Sequence, residues 1–361
     1  MLLAHSPGAV PGLLGSKQAA HTWIAQPAAP RRVPSLAHHA FEARRRSGAR
    51  CSVTSTQAEL IHASRCKLGE SPSWDERVQR LYYVDVNEHK VHVFDPATKE
   101  DYFIDCGEMT SAVMPSTNET QLVATLTRNV VVVDLDKRAT TTVLATTPKE
   151  HGDKQWRFND AKASPSGALI LGRMFLDGPA NEPGRLYSLD ARRQHEGLAT
   201  LLPSIPLPNG MTWDTKRKRM YQNETITQTV YVYETDDAGV PVREGAGKLK
   251  ELHKLHIEEG NPDGLTIDAD GNLWIALAKT DTIGCYNPDT GELLRKVSLP
   301  MPGASACTFG GPNLDQLFIT MIADEGDQEQ EECIKGGRGG LYVAHVEGVK
   351  GVAGAYKAAL S

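Results

Sequence analysis

Along most of this chain, short apolar runs alternate with polar turn sequences, and a helical 3.6-residue period is weak throughout. The clearest unit is Gly260-Asn261-Pro262-Asp263-Gly264-Leu265-Thr266-Ile267-Asp268-Ala269-Asp270-Gly271-Asn272-Leu273-Trp274-Ile275-Ala276. It reads as a polar residue at the head of a strand, a tight turn at Asp270-Gly271 and a second strand. Weaker copies recur. Their lead residues are Glu70, Ser111, Asn159, Asn209, Asp263 and Ser305, at intervals of 41, 48, 50, 54 and 42 residues. A second strand follows each, marked by Leu81, Leu122, Leu169, Met220, Leu273 and Leu317, at offsets of 11, 11, 10, 11, 10 and 12 residues. Third strands are expected at Lys90–Phe94, Val130–Asp134, Arg185–Leu189, Thr229–Tyr233, Thr282–Tyr286 and Gly340–His345.

Units of this length with several short strands each predict an all-β fold, a six-bladed β-propeller. A single unit cannot bury its own faces, so the blades must pack around a common axis. A TIM barrel is disfavoured because the repeat contains no helix. The stretch Glu59–His62 is a candidate outer strand for the last blade. Innermost strands face the channel, so the six lead residues should converge at one end. Four of the six carry a carboxylate or amide, and none is His or Cys. All-oxygen donors suit a hard divalent cation such as Ca²⁺, Mg²⁺ or Mn²⁺. Glu70 and Asp263 together match the charge of one such ion, and without it two buried carboxylates would repel and shift their pKa values upward. Each lead residue taken alone is an ordinary turn former. Their common register argues for a central metal site.

The first 55 residues break the pattern. Between Met1 and Thr56 stand Lys17, Arg31, Arg32, Arg44, Arg45, Arg46 and Arg50 against a single acid, Glu42. An acid-poor, Arg- and Ser-rich leader has the composition of an organelle transit peptide, and the stretch to Ser52 points to a plastid. A mitochondrial or cytoplasmic location is the alternative, with the segment as a basic tail. Residues 56–361 are expected to form the propeller. The chain has 361 residues, 40% hydrophobic and 23% charged, with a net charge of −6. That balance carries no basic signature for nucleic acid, and no apolar run reaches the roughly 20 residues of a membrane span. Six scattered cysteines make neither zinc-site pairs nor a disulfide framework. His89 with His92, and His253 with His256, are spaced to point to opposite faces of a strand and do not suit a shared metal. The acidic run Asp324–Glu332 lacks the EF-hand pattern. Asn118-Glu119-Thr120 and Asn223-Glu224-Thr225 are glycosylation sequons, relevant to a secreted chain alone.

From about Glu59 to Tyr356 the sequence resembles the SMP-30/gluconolactonase/luciferin-regenerating family. The matching pieces run in order: Leu68-Gly69-Glu70-Ser71-Pro72-Ser73-Trp74, Tyr83-Val84-Asp85-Val86, Arg157-Phe158-Asn159-Asp160, Pro208-Asn209-Gly210-Met211-Thr212-Trp213, Gly260-Asn261-Pro262-Asp263-Gly264 and Phe309-Gly310-Gly311. The resemblance implies a six-bladed propeller with one catalytic divalent metal, Ca²⁺ foremost, with Zn²⁺, Mn²⁺ and Mg²⁺ as alternatives. It implies Glu70, Asn209 and Asp263 as metal ligands, Asp263 also as the acid/base, and Arg157 and Asn159 as substrate contacts. Two departures bear on the substrate. Glu224-Thr225 stands where the family usually has Asp-Ser, an extra methylene that would displace a carboxylate. A substrate-binding acid after Gly172-Arg173-Met174 has no clear match, with Asp177 and Glu182 as candidates.

The activity implied is hydrolysis of sugar-acid lactones. A small-molecule lactone is then the partner, with no nucleic acid and no membrane. A non-catalytic propeller binding Ca²⁺ or a protein partner is the alternative from another class, and hydrolysis of phosphorus esters is a third use of the same site.

Overall fold

The computed structural model describes residues 53–148, 155–179, 181–190, 195–323, 337–352 and 356–359. The described residues form six antiparallel sheets in a propeller, plus one two-stranded ribbon. Blade 1 runs Gly69–Asp75, Arg80–Asp85, Lys90–Phe94, Asp101–Asp105, and blade 2 runs Ala112–Pro115, Gln121–Thr125, Asn129–Asp134, Ala139–Thr146. Blade 3 runs Trp156–Ala163, Leu169–Phe175, Gly184–Leu189, Ala199–Ile205. Blade 4 runs Pro208–Asp214, Arg219–Glu224, Thr229–Glu234, Glu251–His256, with the ribbon Arg243–Glu244 and Lys248–Leu249 inserted before its last strand. Blade 5 runs Asn261–Ile267, Leu273–Ala278, Thr282–Tyr286, Leu293–Ser298, and blade 6 runs Ala304–Gly310, Gln316–Met321, Leu341–His345. The first strand of each blade touches the first strands of both neighbours, closing a cycle around the axis.

The N-terminal part of the described chain closes the ring. Glu59–His62 pairs antiparallel with Leu341–His345, completing blade 6 as expected. Just before it, Thr54–Gln57 adds a parallel fifth strand to the edge of blade 5, with Thr54 opposite Arg295. That strand starts two residues before the expected domain boundary at residue 56. The basic leader at residues 1–52, the acidic run from Asp324, and Lys335 and Gly336 lie outside the described residues.

The strands are less alternating than a two-layer sheet would require, because both faces of every blade are buried. Leu81 and Tyr83 pack with Trp74, Phe318 and Leu341 between blades 1 and 6, whereas Tyr82 and Val84 pack with Val113 and Leu122 between blades 1 and 2. The other four blade interfaces have one apolar cluster each. The six residues that marked the second strands are all at most 1% exposed. They belong to this interblade core.

Polar ties hold the inner strands together as well. Ser71 Oγ donates to Val113 O, Ser111 Oγ to Phe158 O, Asn159 Nδ2 to Pro208 O, Asn223 Nδ2 to Asp263 O and Ser305 Oγ to Gly69 O. Between blades 5 and 6 the backbones themselves close up at Gly264, where a Cβ would stand 2.3 Å from Ala306 Cβ. Gly210 does the same between blades 4 and 5, where a Cβ would lie 2.5 Å from Asp263 O. The glycines after Asn209 and Asp263 are therefore packing requirements near the axis.

Candidate functional site

Among the lead residues, Ser111 alone precedes its strand. All but Ser111 sit inside the innermost strands. Register shifts occur at Glu70–Ser73, Phe158–Ala161, Pro208–Met211, Pro262–Leu265 and Ala304–Ala306, so in five blades a β-bulge falls on or beside the lead residue. A bulge breaks strict alternation and re-aims side chains, here toward the axis. Blade 2 has no such shift at its Ala112–Pro115 strand.

Glu70, Ser111, Arg157, Asn159, Asn209 and Asp263 border one cavity of about 160 Å³ at this end of the channel. Its other walls combine apolar residues, Leu68, Val86, Leu207 and Ile322 among them, with Asp160, Thr225 and Lys279. Five of the six lead residues therefore meet as expected. The sixth, Ser305, does not line the cavity. It is fully buried, with its hydroxyl between Gly69 O at 2.6 Å and Thr320 Oγ1 at 3.0 Å, so it is a tie between blades.

The two acids are poorly supplied with donors. Glu70 Oε2 accepts from Ser71 N at 3.1 Å, and the Asp263 carboxylate has the Asn209 amide beside it. Burial, then the neighbouring Asp263 and Asp160, pushes the Glu70 carboxyl well above its usual range, against the pull of Ser71 N–H and Arg157. Burial and Asp160 push Asp263 up to about 8, against Asn209 and Arg157. Two like charges that resist ionising together, with few protein donors, form a site deficient in positive charge. With the Asn209 amide beside them the donor set is all oxygen and fits one hard divalent cation.

Arg157 supplies fixed positive charge nearby. Burial lowers its pKa to about 10, opposed by Glu70 and Asp263, so the guanidinium stays protonated at neutral pH. Its Nη1 donates to Phe158 O at 2.7 Å and Asn159 Oδ1 at 2.9 Å, and lies 3.4 Å from Ser111 Oγ. Asn159 is engaged on both sides, by Arg157 and by Pro208 O, and acts partly as a strut behind Arg157.

Sequence reasoning gave no role to Asp160, yet it lines the same cavity. Burial raises its pKa, and Lys162, two residues along the strand, opposes this. Lys162 is half-buried, its Nζ donates to Leu265 O at 2.8 Å, and it lines a second cavity at the far end of the channel. Asp160 stood within the quoted Arg157-Phe158-Asn159-Asp160 stretch, but its direction depended on the bulge, which spacing does not show.

The two departures are resolved differently. The Glu224 carboxylate does not reach the cavity. It caps a turn, accepting from Leu207 N, Ile226 N, Thr227 N and the Thr227 hydroxyl. The expected displacement of a site carboxylate therefore does not arise at Glu224. Thr225 does border the cavity. Asp177 is taken by Gln155 and Glu182 by Arg185 at 2.9 Å, and neither lines the cavity. Asn223 is fully buried, so its sequon is inaccessible in the folded chain.

A second constellation has a catalytic outline without an opening. Cys66 Sγ lies 3.9 Å from His92 Nε2, and His92 Nδ1 lies 2.8 Å from Asp101 Oδ2, which His62 also approaches at 3.5 Å. Cys66 is 2% exposed, and burial, then Asp85, drives its thiol far above the usual range. A thiol that cannot ionise or meet substrate is not a nucleophile. Cys106, Cys285 and Cys307 are likewise free and buried.

The sequence pattern of the SMP-30/Gluconolactonase/LRE-like region matches residues 68–323. The chain belongs to that family. It is 34% identical over 268 residues to pentonolactonase XacC of Haloferax volcanii, covering 73% of this chain and 84% of that protein. Human regucalcin is 29% identical over 309 residues, covering 83% and 98%. Among solved structures, a luciferin-regenerating enzyme superposes with a TM-score of 0.71 at 29% identity, covering 84% of this chain and all of that one. The matched region includes the six cavity-lining residues that the sequence singled out.

Proposed function

We propose that this protein is a divalent-metal-dependent hydrolase that opens the ester bond of sugar-acid lactones. The observation that carries the reading is the pair of donor-poor acids, half-buried Glu70 and buried Asp263, meeting the Asn209 amide in one cavity beside a protonated Arg157. The pentonolactonase relative supports the substrate class, and the regucalcin relatives support calcium.

In this reading Glu70, Asn209 and Asp263 hold the ion. A divalent cation held there would supply Lewis-acid chemistry for the lactone carbonyl. Arg157 keeps Nε and Nη2 free of protein partners among the described residues, so it can orient substrate hydroxyls. Asp263 takes a proton from the attacking water as the new C–O bond forms. It returns that proton to the ring oxygen as the ester C–O bond breaks, leaving a hydroxy acid. The apolar wall of Leu68, Val86, Leu207 and Ile322 limits competing water.

A pH-stat screen of aldonolactones, with EDTA and with Ca²⁺ restored, tests the proposal. Turnover that EDTA abolishes and Ca²⁺ restores is the expected result. Ca²⁺ binding without turnover of any lactone would favour a non-catalytic calcium-binding propeller. Faster turnover of organophosphates than of lactones would move the substrate class to phosphorus esters.

A further inference from the structure

Thr225 follows the second strand of blade 4, in the Glu224-Thr225 pair where the sequence leaves the family pattern. Its hydroxyl has two polar neighbours. Asn209 Nδ2 lies 3.1 Å away, and Pro262 O, one residue before Asp263, lies 2.9 Å away. A hydroxyl carries one proton, and a carbonyl can only accept. The Thr225 proton therefore goes to Pro262 O, and Thr225 must accept from Asn209. The amide is thus fixed with its nitrogen toward Thr225.

The Asn209 side chain also stands beside the Asp263 carboxylate, whose pKa it pulls down. With Nδ2 committed to Thr225, Oδ1 is left for the cavity that Asn209 lines. Reversing the amide would set Oδ1 against Thr225 lone pairs, or take the Thr225 proton from Pro262. It would also turn a donor toward a cation. The same hydroxyl joins the inner strands of blades 4 and 5, which present Asn209 and Asp263.

We infer that Thr225 is a positioning residue that locks the Asn209 amide with its oxygen toward the bound cation. The inference rests on the proposed metal site. Outer groups that fix a ligand's orientation are a recognised determinant of metal affinity. Thr225→Val keeps the shape and β-branching of the side chain and removes the hydroxyl. Thr225→Ser restores the hydroxyl. Ser305→Ala removes an interblade hydroxyl tie at a residue that does not line the cavity and serves as the control for lost blade contact.

The test is calorimetric titration of CaCl₂ into the EDTA-treated, dialysed full chain, with thermal unfolding of each metal-free variant. Thr225→Val should raise the Ca²⁺ dissociation constant about 10–100-fold, the usual loss when an outer-shell partner is removed. Thr225→Ser and Ser305→Ala should keep wild-type affinity. Wild-type affinity in a folded Thr225→Val would overturn the inference and leave the metal site standing. Equal loss in Ser305→Ala would reduce Thr225 to a blade tie and overturn it too. Absence of Ca²⁺ binding in the wild type would overturn both this inference and the reading beneath it.

Discussion

The same inner strands carry acids at both ends, and the two ends treat them differently. At the far end Asp75, Asp214 and Asp268 are saturated with donors. Asp75 takes Arg77 N and its guanidinium, and Asp214 takes Arg217 N and Nη1. Asp268 accepts from Asp270 N and Asn272 N on one oxygen and from Asn272 Nδ2 and Trp274 Nε1 on the other. These acids terminate strands by capping hairpin turns. At the cavity end, Glu70 accepts one backbone N–H, and Asp263 has the Asn209 amide beside it. Asp263 is as buried as Asp214, so burial alone does not mark a site. The number of donors does, because a buried charge without protein partners needs a partner from outside.

Exchanging an acid for its amide at each end is the strongest way to break this comparison. Asp263→Asn removes the proposed base and a ligand charge, and should lower lactone turnover about 10²- to 10⁴-fold or more. The fold should survive it, because burial already disfavours the Asp263 charge. Asp268→Asn should leave turnover near wild type. It should lose about 1–3 kcal/mol of stability, since an amide donor would meet the N–H groups of the turn. Full activity in Asp263→Asn, or its loss in a folded Asp268→Asn, would reverse the assignment.

The cavity acids also predict a pH signature for the metal-free protein. Asp263 is raised to about 8 in the fold, against about 3.9 in an unfolded chain. The folded state then binds the proton more tightly. Its contribution to stability is complete below about pH 4 and is lost as pH rises toward about 8. Thermal unfolding in EDTA should show a falling midpoint across that window, and added Ca²⁺ should raise the midpoint most at its upper end, by binding the folded state. A midpoint that Ca²⁺ shifts equally at both pH limits would separate the cation from these carboxylates. The smallest expected effect is at Ser305, where removal of a neutral tie to Gly69 O should cost about 1 kcal/mol without changing turnover.

The fold was largely legible in the sequence because the repeat is a backbone property. Leu81, Leu122, Leu169, Met220, Leu273 and Leu317 recur at near-constant offsets since every blade needs an apolar second strand. Ring closure did not follow from the repeat, although Glu59–His62 was a candidate outer strand and does pair with the last blade, and the parallel Thr54–Gln57 was hidden under a basic leader composition. The gathering of Glu70, Asn159, Asn209 and Asp263 followed from register. Three details did not. Ser305 shares that register and yet points to Gly69 O, Asp160 reaches the cavity through a bulge, and Glu224 turns to backbone amides. Each depends on the local direction of one side chain, which a repeat count cannot resolve. The Cys66–His92–Asp101 alignment shows the converse, since its distances suit catalysis and its burial forbids it.

The account stands on a cation shared by the donor-poor acids. Anomalous diffraction from crystals of the full chain soaked in MnCl₂, with a CaCl₂ soak as reference, locates that cation directly. The predicted result is one strong peak within ligand distance of Glu70, Asn209 and Asp263, shared by both soaks. A dication bound at the Asp268 end instead, or a cavity that holds none at saturating metal, would contradict it.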